Sequence, residues 1–256
     1  MLIFDTPILV YHRIASDALA KDPWRLTVSV QRFERQMRYL YEHGYHCFAL
    51  MELLQSLRDE QAHRRKRVVL TFDDGYESFY TLAYPILRRY AFTATVFLVT
   101  DRIGERNNHE TEAADPFLNW KQVKSLHADG IAFGSHTCTH PHLSHLSSAQ
   151  VRRELFSSKK YLEDILESRI QLLAYPHGDS NLEVQQIAKA AGYGAACGSR
   201  KGKSGRFNIW RTTCRTDDTL LGFVLKLTKW PYLANSFREE TRIAQFIRKV
   251  RHAFNR

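Results

Sequence analysis

Val68-Val-Leu-Thr-Phe-Asp-Asp-Gly75 is an apolar run that stops abruptly at two carboxylates and a glycine. An apolar, β-branched run bounded by turn chemistry reads as a buried strand. Neighbours on a regular strand point to opposite faces. Past its end, a turn that Gly75 permits lets Asp73 and Asp74 approach one point. Taken alone, Asp-Asp-Gly is a common turn.

The pattern recurs about sixty residues later in Ile131-Ala-Phe-Gly-Ser-His-Thr-Cys-Thr-His140, a second apolar strand that runs into histidines. One helical turn between His136 and His140 would stack their rings on the same side. Any one of His136, His140, His142 and His145 alone reads as a surface residue of a polar loop. Paired with Asp73-Asp74, the histidines point instead to a divalent ion. Two imidazoles and one carboxylate leave such an ion with open positions, as in hydrolytic rather than structural sites. Zinc suits these donors, and cobalt, nickel and manganese are chemically compatible. Cys138 lies between the two histidines and is expected to face elsewhere. A third strand end, Leu172-Leu-Ala-Tyr-Pro-His-Gly-Asp179, places an aromatic, a proline and a histidine beside a turn.

Around these three strand ends, Ile8 to Tyr11 and Ala94 to Val99 also read as strands. Helical periodicity runs over Val30 to His43, Tyr76 to Tyr90, Trp120 to Asp129, Ser147 to Leu166 and Leu182 to Ala191, with Gly44, Gly130 and Gly192 as stop signals. Strands alternating with helices of this length imply a mainly parallel sheet, closed or nearly closed into a barrel. Chemistry in such barrels sits at the C-terminal strand ends, where all three motifs fall. Arg102 to Asp115 is polar and aperiodic, as expected of a surface loop near the mouth of the site.

With these motifs in order, the chain resembles the polysaccharide deacetylases of the NodB-homology, or carbohydrate esterase 4, group. Their signatures are a Thr-Phe-Asp-Asp-Gly strand end, here Thr71 to Gly75, and a His-Ser/Thr-x-x-His segment, here His136 to His140. The resemblance runs from about Pro7 to about Arg215 and includes Phe117-Leu-Asn-Trp120. It implies a distorted (β/α) barrel of about seven or eight mainly parallel strands. It also implies metal-dependent removal of an acetyl group from an N-acetylated sugar in a glycan, oligosaccharide or lipid-linked intermediate. Asp74, His136 and His140 would hold the metal and Asp73 would be the base. A backbone N–H in the Tyr175-Pro176-His177 turn would stabilise the developing oxyanion, with Trp120 also on the substrate side.

Two departures from the commonest family pattern matter. The third motif usually reads Arg-x-Pro-Tyr, whereas this chain has Leu173-Ala-Tyr-Pro-His-Gly178, and no Leu-x-His stands near the C terminus. Both features resemble the circularly permuted branch of poly-N-acetylglucosamine deacetylases. There a histidine after the first strand, here His12 in Val10-Tyr-His12-Arg-Ile14, serves as general acid. An arginine, here Arg211 in Ile209-Trp-Arg-Thr212, orients the base aspartate. O-deacetylation, or a catalytically silent glycan-binding protein of the same fold, are the alternatives.

Composition sets the outer limits. The chain has 256 residues, 44% hydrophobic and 25% charged, with a formal charge of +10. One core-forming domain accommodates this length. The cysteines (Cys47, Cys138, Cys197, Cys214) form no Cys-x-x-Cys pair and read as thiols. The N-terminal apolar residues lack a basic leader, and no run reaches the roughly 18 apolar residues of a membrane span, so a cytoplasmic location is expected. His63-Arg-Arg-Lys-Arg67 has no accompanying nucleic-acid-binding pattern, and no nucleic-acid partner is expected. We divide the chain into a catalytic domain, 1–230, and a basic amphipathic helix, 231–256. Packing on the barrel and peripheral docking on anionic lipid at the inner membrane face are the two readings of that helix.

Overall fold

The computed structural model describes residues 6–16, 22–56, 66–105, 116–199 and 204–228. The tail helix expected over 231–256, the loop beyond position 105 and the basic run up to position 65 lie outside the described residues.

All strand pairs in the main sheet are parallel. β1 (Ile8–Tyr11) lies against β5 (Lys66–Phe72), and the sheet continues through β6 (Thr95–Leu98), β7 (Ala132–Ser135), β8 (Leu172–Ala174) and β9 (Ala195–Gly198) to β10 (Ile209–Trp210). On its other side β1 pairs with β11 (Thr212–Thr213). β10 and β11 are separated in sequence by Arg211 alone, so one short segment joins the two ends of the sheet into a nearly closed barrel. The strand β4 (Tyr45–Phe48) pairs with the first half of β5 at Lys66 to Val69, while β6 takes Thr71 and Phe72. A separate parallel pair, β2 (Arg13–Ala15) with β3 (Thr27–Ser29), stands outside the barrel.

Strand alternation divides the core in two. Ile8, Val69, Phe97, Leu172, Ala174, Ala195, Cys197 and Ile209 form one buried cluster with Leu50, Leu53 and Leu54 of α2 (Leu50–Ser56). This is the barrel lumen, and α2 plugs its N-terminal end, where Leu50 N donates to Thr95 Oγ1 at 3.0 Å. Intervening residues such as Leu9, Leu70, Val96, Leu98, Leu173 and Ala196 belong to the outer cluster under the helices.

The outer helices are α1 (Val30–Glu42), α3 (Tyr84–Arg89), α4 (Trp120–Ala128), α5 (Ser148–Leu166), α6 (Leu182–Ala190) and α7 (Leu220–Lys226). Ser29, Asn119, Ser147 and Asn181 cap four of them, with reciprocal capping boxes at Asn119/Gln122 and Ser147/Gln150. The helix expected from Tyr76 to Tyr90 is instead a π-turn over Phe79–Ala83 followed by α3. Pro85 has no N–H to donate to a carbonyl one turn back, and the chain widens there, with Tyr84 N–H reaching Phe79 O. No helix among the described residues is long and apolar enough to cross a membrane.

Candidate active site

Inward-facing positions of β5 run Val69, Thr71, Asp73, and those of the closing segment run Ile209, Arg211. Their last members meet at the C-terminal mouth of the lumen. Arg211 Nη1 donates to Asp73 Oδ1 at 2.7 Å and Nη2 to Oδ2 at 2.6 Å. The guanidinium also lies over the Phe97 ring, 5.3 Å from its centroid. Burial alone would raise the Asp73 carboxyl, but Arg211, then His136 and His12, outweigh it and hold the group below its ordinary value. Asp73 N–H still bonds to Tyr11 O at 3.0 Å, in register with the sheet. The next residues, Asp74 (φ 71°) and Gly75 (φ 78°), are left-handed and turn the chain. This turn brings adjacent carboxylates to one cavity.

Asp74 Oδ1 stands 3.5 Å from His136 Nε2 and 3.3 Å from His140 Nε2. It is buried and has no hydrogen-bond partner. His136 Nδ1 lies 2.7 Å from Ala174 O, and because a carbonyl only accepts, this nitrogen carries the proton. In the neutral ring Nε2 is therefore a lone-pair donor facing another lone-pair donor. A cation between them resolves this arrangement, with the Ala174 carbonyl orienting the ring as an outer partner does at metal centres. Asp74, His136 and His140 are the one group of potential ligands among the described residues with donor atoms within 4.8 Å of one another. The residues fit a divalent ion of the zinc type, with three protein donors and room for exogenous ligands.

The expected helical turn between the histidines is absent. Thr137 (φ 71°) and His140 (φ 66°) are both left-handed, and an irregular loop sets the rings edge to face with centroids 4.8 Å apart. Buried Glu154, on α5, braces this loop. Its Oε2 accepts from Cys138 N at 2.8 Å and Thr139 N at 3.0 Å, and its Oε1 accepts from Thr139 Oγ1 at 2.8 Å. Cys138 Sγ donates to Glu154 O at 3.6 Å and is not among the three converging ligands.

The third strand end supplies another left-handed pair, His177 (φ 59°) and Gly178 (φ 65°). Tyr175 N–H donates to Cys197 O, Pro176 has no N–H, and the Gly178 and Asp179 amides donate to Tyr175 O and Pro176 O. His177 sits at the tip of this turn. Its ring packs edge to face on His140 at 4.6 Å and stacks on His142 at 3.9 Å. Burial, then the neighbouring imidazoles of His140 and His142, push its pKa down to about 4.

These groups line a cavity of about 820 Å³ that contains His12, Asp73, Asp74, His136, His140, His177 and Arg211. Burial lowers the pKa of His12 despite the opposing charges of Asp74 and Asp73. Three residues expected on the substrate side do not line the cavity. The Tyr175 side chain is buried and donates to Phe207 O at 3.1 Å, Pro176 is buried, and Trp120 packs edge to face on Tyr161. Glu154 escaped the sequence reading, although a signal was present: it is a carboxylate within the apolar stripe Val151, Leu155, Leu162 of α5.

The sequence pattern of a family described as polysaccharide deacetylase matches residues 60–196. YxkH of Bacillus subtilis is 32% identical over 200 residues, covering 78% of this chain and 66% of that protein. A poly-beta-1,6-N-acetyl-D-glucosamine N-deacetylase of Staphylococcus aureus is 30% identical over 182 residues, covering 68% of this chain and 61% of the relative. The chain thus spans less than two thirds of either relative. Among solved structures, the Streptococcus pyogenes deacetylase PplD in complex with acetate superposes with a TM-score of 0.73 at 28% identity, over 87% of this chain and 97% of that one. IcaB from Ammonifex degensii, at 21% identity, shares the fold with a TM-score of 0.70, over 88% of this chain and 97% of that one.

Proposed function

The chain belongs to the polysaccharide deacetylase family, and from that premise we propose that it hydrolyses the acetamide of an N-acetylated hexosamine in a glycan. The observation that carries the reading is the meeting of two arrangements in one cavity. Three donor atoms, one each from Asp74, His136 and His140, converge within 4.8 Å of one another, beside a separate buried carboxylate, Asp73, that Arg211 keeps ionised.

A divalent ion held by Asp74, His136 and His140, zinc by the character of the donors, would supply Lewis acidity to a water and to the acyl oxygen. Asp73 takes the proton of the attacking water. The His177 amide donates to the oxygen that gains charge, a contact typically worth about 2.7 to 4 kcal/mol in the transition state. His12 gives a proton to the departing amine as the C–N bond breaks, leaving acetate and a free amino sugar.

The same groups are suited to an acetyl ester. We favour the amide because a 30% identical relative is named as an N-deacetylase of poly-beta-1,6-N-acetyl-D-glucosamine. The test is acetate release from N-acetylglucosamine oligomers and from an acetylated sugar ester by chelated protein, before and after adding zinc, cobalt or nickel. Metal-restored release, faster from the amide, is the expected result. Undiminished release after chelation, or none with any metal, would overturn the reading.

A further inference from the structure

The cavity wall extends beyond the groups used in hydrolysis to Trp24, Leu26, Tyr76, Arg102 and Arg215. Trp24 lines the cavity and is 75% exposed, so it adds little to the core. Its loop is nevertheless held firmly. Asp22 accepts from Leu26 N at 3.1 Å, Thr27 N at 2.7 Å and Thr216 Oγ1 at 2.7 Å. Arg25 is left-handed (φ 57°), its N–H donates to Asp22 O and its carbonyl accepts from Thr216 N–H. Arg215 Nη1 donates to the Trp24 carbonyl at 2.8 Å, tying the loop to the segment that follows the barrel closure. An exposed aromatic on a braced loop beside a reaction centre is preorganised for a ligand face and loses little entropy on binding.

The ligand chemistry follows from what surrounds the indole. A pyranose with equatorial substituents offers a flat C–H face that packs on an aromatic ring, and its hydroxyl and acetamide oxygens accept from guanidinium groups. Resting on the deacetylase reading, we propose that Trp24 is a stacking platform for a sugar unit flanking the one that reacts. A substrate that presents such a flanking unit is then preferred over a single N-acetylated sugar.

The test compares acetate release from monomeric and tetrameric N-acetylglucosamine, in both β-1,4 and β-1,6 linkage, by the zinc-loaded protein. Indole emission is followed as the tetramer is titrated. Wild type is expected to favour the better tetramer over the monomer by about tenfold in kcat/KM, the effect of one aromatic contact. Trp24→Ala should collapse that ratio towards one, mainly through KM. Trp24→Phe should keep most of it while losing the emission change. Equal use of monomer and tetramer by wild type, or a ratio that survives Trp24→Ala, would overturn the platform. Trp24-dependent tetramer binding without any acetate release would instead overturn the deacetylase reading and leave the platform standing.

Discussion

Arg211 closes on Asp73 with two parallel hydrogen bonds of 2.7 and 2.6 Å, although 138 residues separate them in sequence. Both side chains are almost wholly buried, at 7% and 6% exposure. The same arginine is the residue by which the chain passes from β10 to β11 and completes the barrel. Barrel closure and orientation of the Asp73 carboxylate are therefore one structural event.

Removing either partner has different consequences. Asp73→Asn keeps the shape and should abolish turnover while zinc binding is retained, as checked by calorimetric titration. Arg211→Ala leaves a buried carboxylate without its cation and should lower stability by about 3 to 5 kcal/mol in urea unfolding. A loss below about 1 kcal/mol would show that Asp73 is solvated in the folded protein and that the pair is not structural.

Metal dependence is expected to reside in three side chains. His136→Ala and Asp74→Ala should each weaken zinc binding by more than the ~10 to 100-fold that loss of an outer partner costs, with turnover lost in parallel. Competition against a chromogenic chelator measures this. Wild-type affinity in His136→Ala would remove His136 from the ligand set.

Much of this site is legible in sequence because strands β5, β7 and β8 are apolar runs cut off by polar turns, and the cut marks the reactive end. Other parts leave no periodic trace. Arg211 sits between strands of two residues each, Ile209–Trp210 and Thr212–Thr213, too short for alternation to register. The Ala-Ala-Cys-Gly of β9 lacks β-branched residues, and β4, Tyr-His-Cys-Phe, is only partly buried. The left-handed backbone of Thr137 and His140 overrides the local spacing that suggests a helical turn, since loop geometry is set by Glu154 and the sheet rather than by neighbours in sequence. Trp24 belongs to no periodic element, and only the folded cavity reveals its place.

The brace under Trp24 has a pH signature. Burial alone would raise the Asp22 carboxyl, but the Thr27 amide, the Thr216 hydroxyl and the Leu26 amide outweigh it and lower its pKa. The unfolded chain, with an aspartate near about 3.9, then binds the proton more readily than the folded one. Asp22 therefore contributes stability that is fully present above about pH 5 and is lost as the pH falls through the depressed folded value. Melting temperatures of wild type and Asp22→Asn from pH 7 to pH 3 should show a constant gap at the upper end that narrows below about pH 4. A gap independent of pH would mean that the aspartate acts through shape rather than charge.

Glu154 touches no ligand atom, yet its carboxylate accepts the amides of Cys138 and Thr139 between the two histidines. The left-handed turn at His140 is held by this carboxylate together with Thr137 Oγ1, which accepts from His140 N at 3.0 Å, and this bracing supports the 3.3 Å approach of the imidazole to Asp74. Hydrogen bonds to a charged group contribute about 1.5 to 3 kcal/mol each. Glu154→Ala should therefore lower the stability of metal-free protein by about that much or more, and weaken zinc binding about 10 to 100-fold as an orienting partner does. Glu154→Gln keeps an oxygen for the two amides and should recover most of the affinity, because what matters is where the loop sits. A Glu154→Ala protein that melts early but binds zinc as tightly as wild type would reduce Glu154 to a packing residue. Weak binding in both variants would show that its charge, and not only its reach, is needed at the centre.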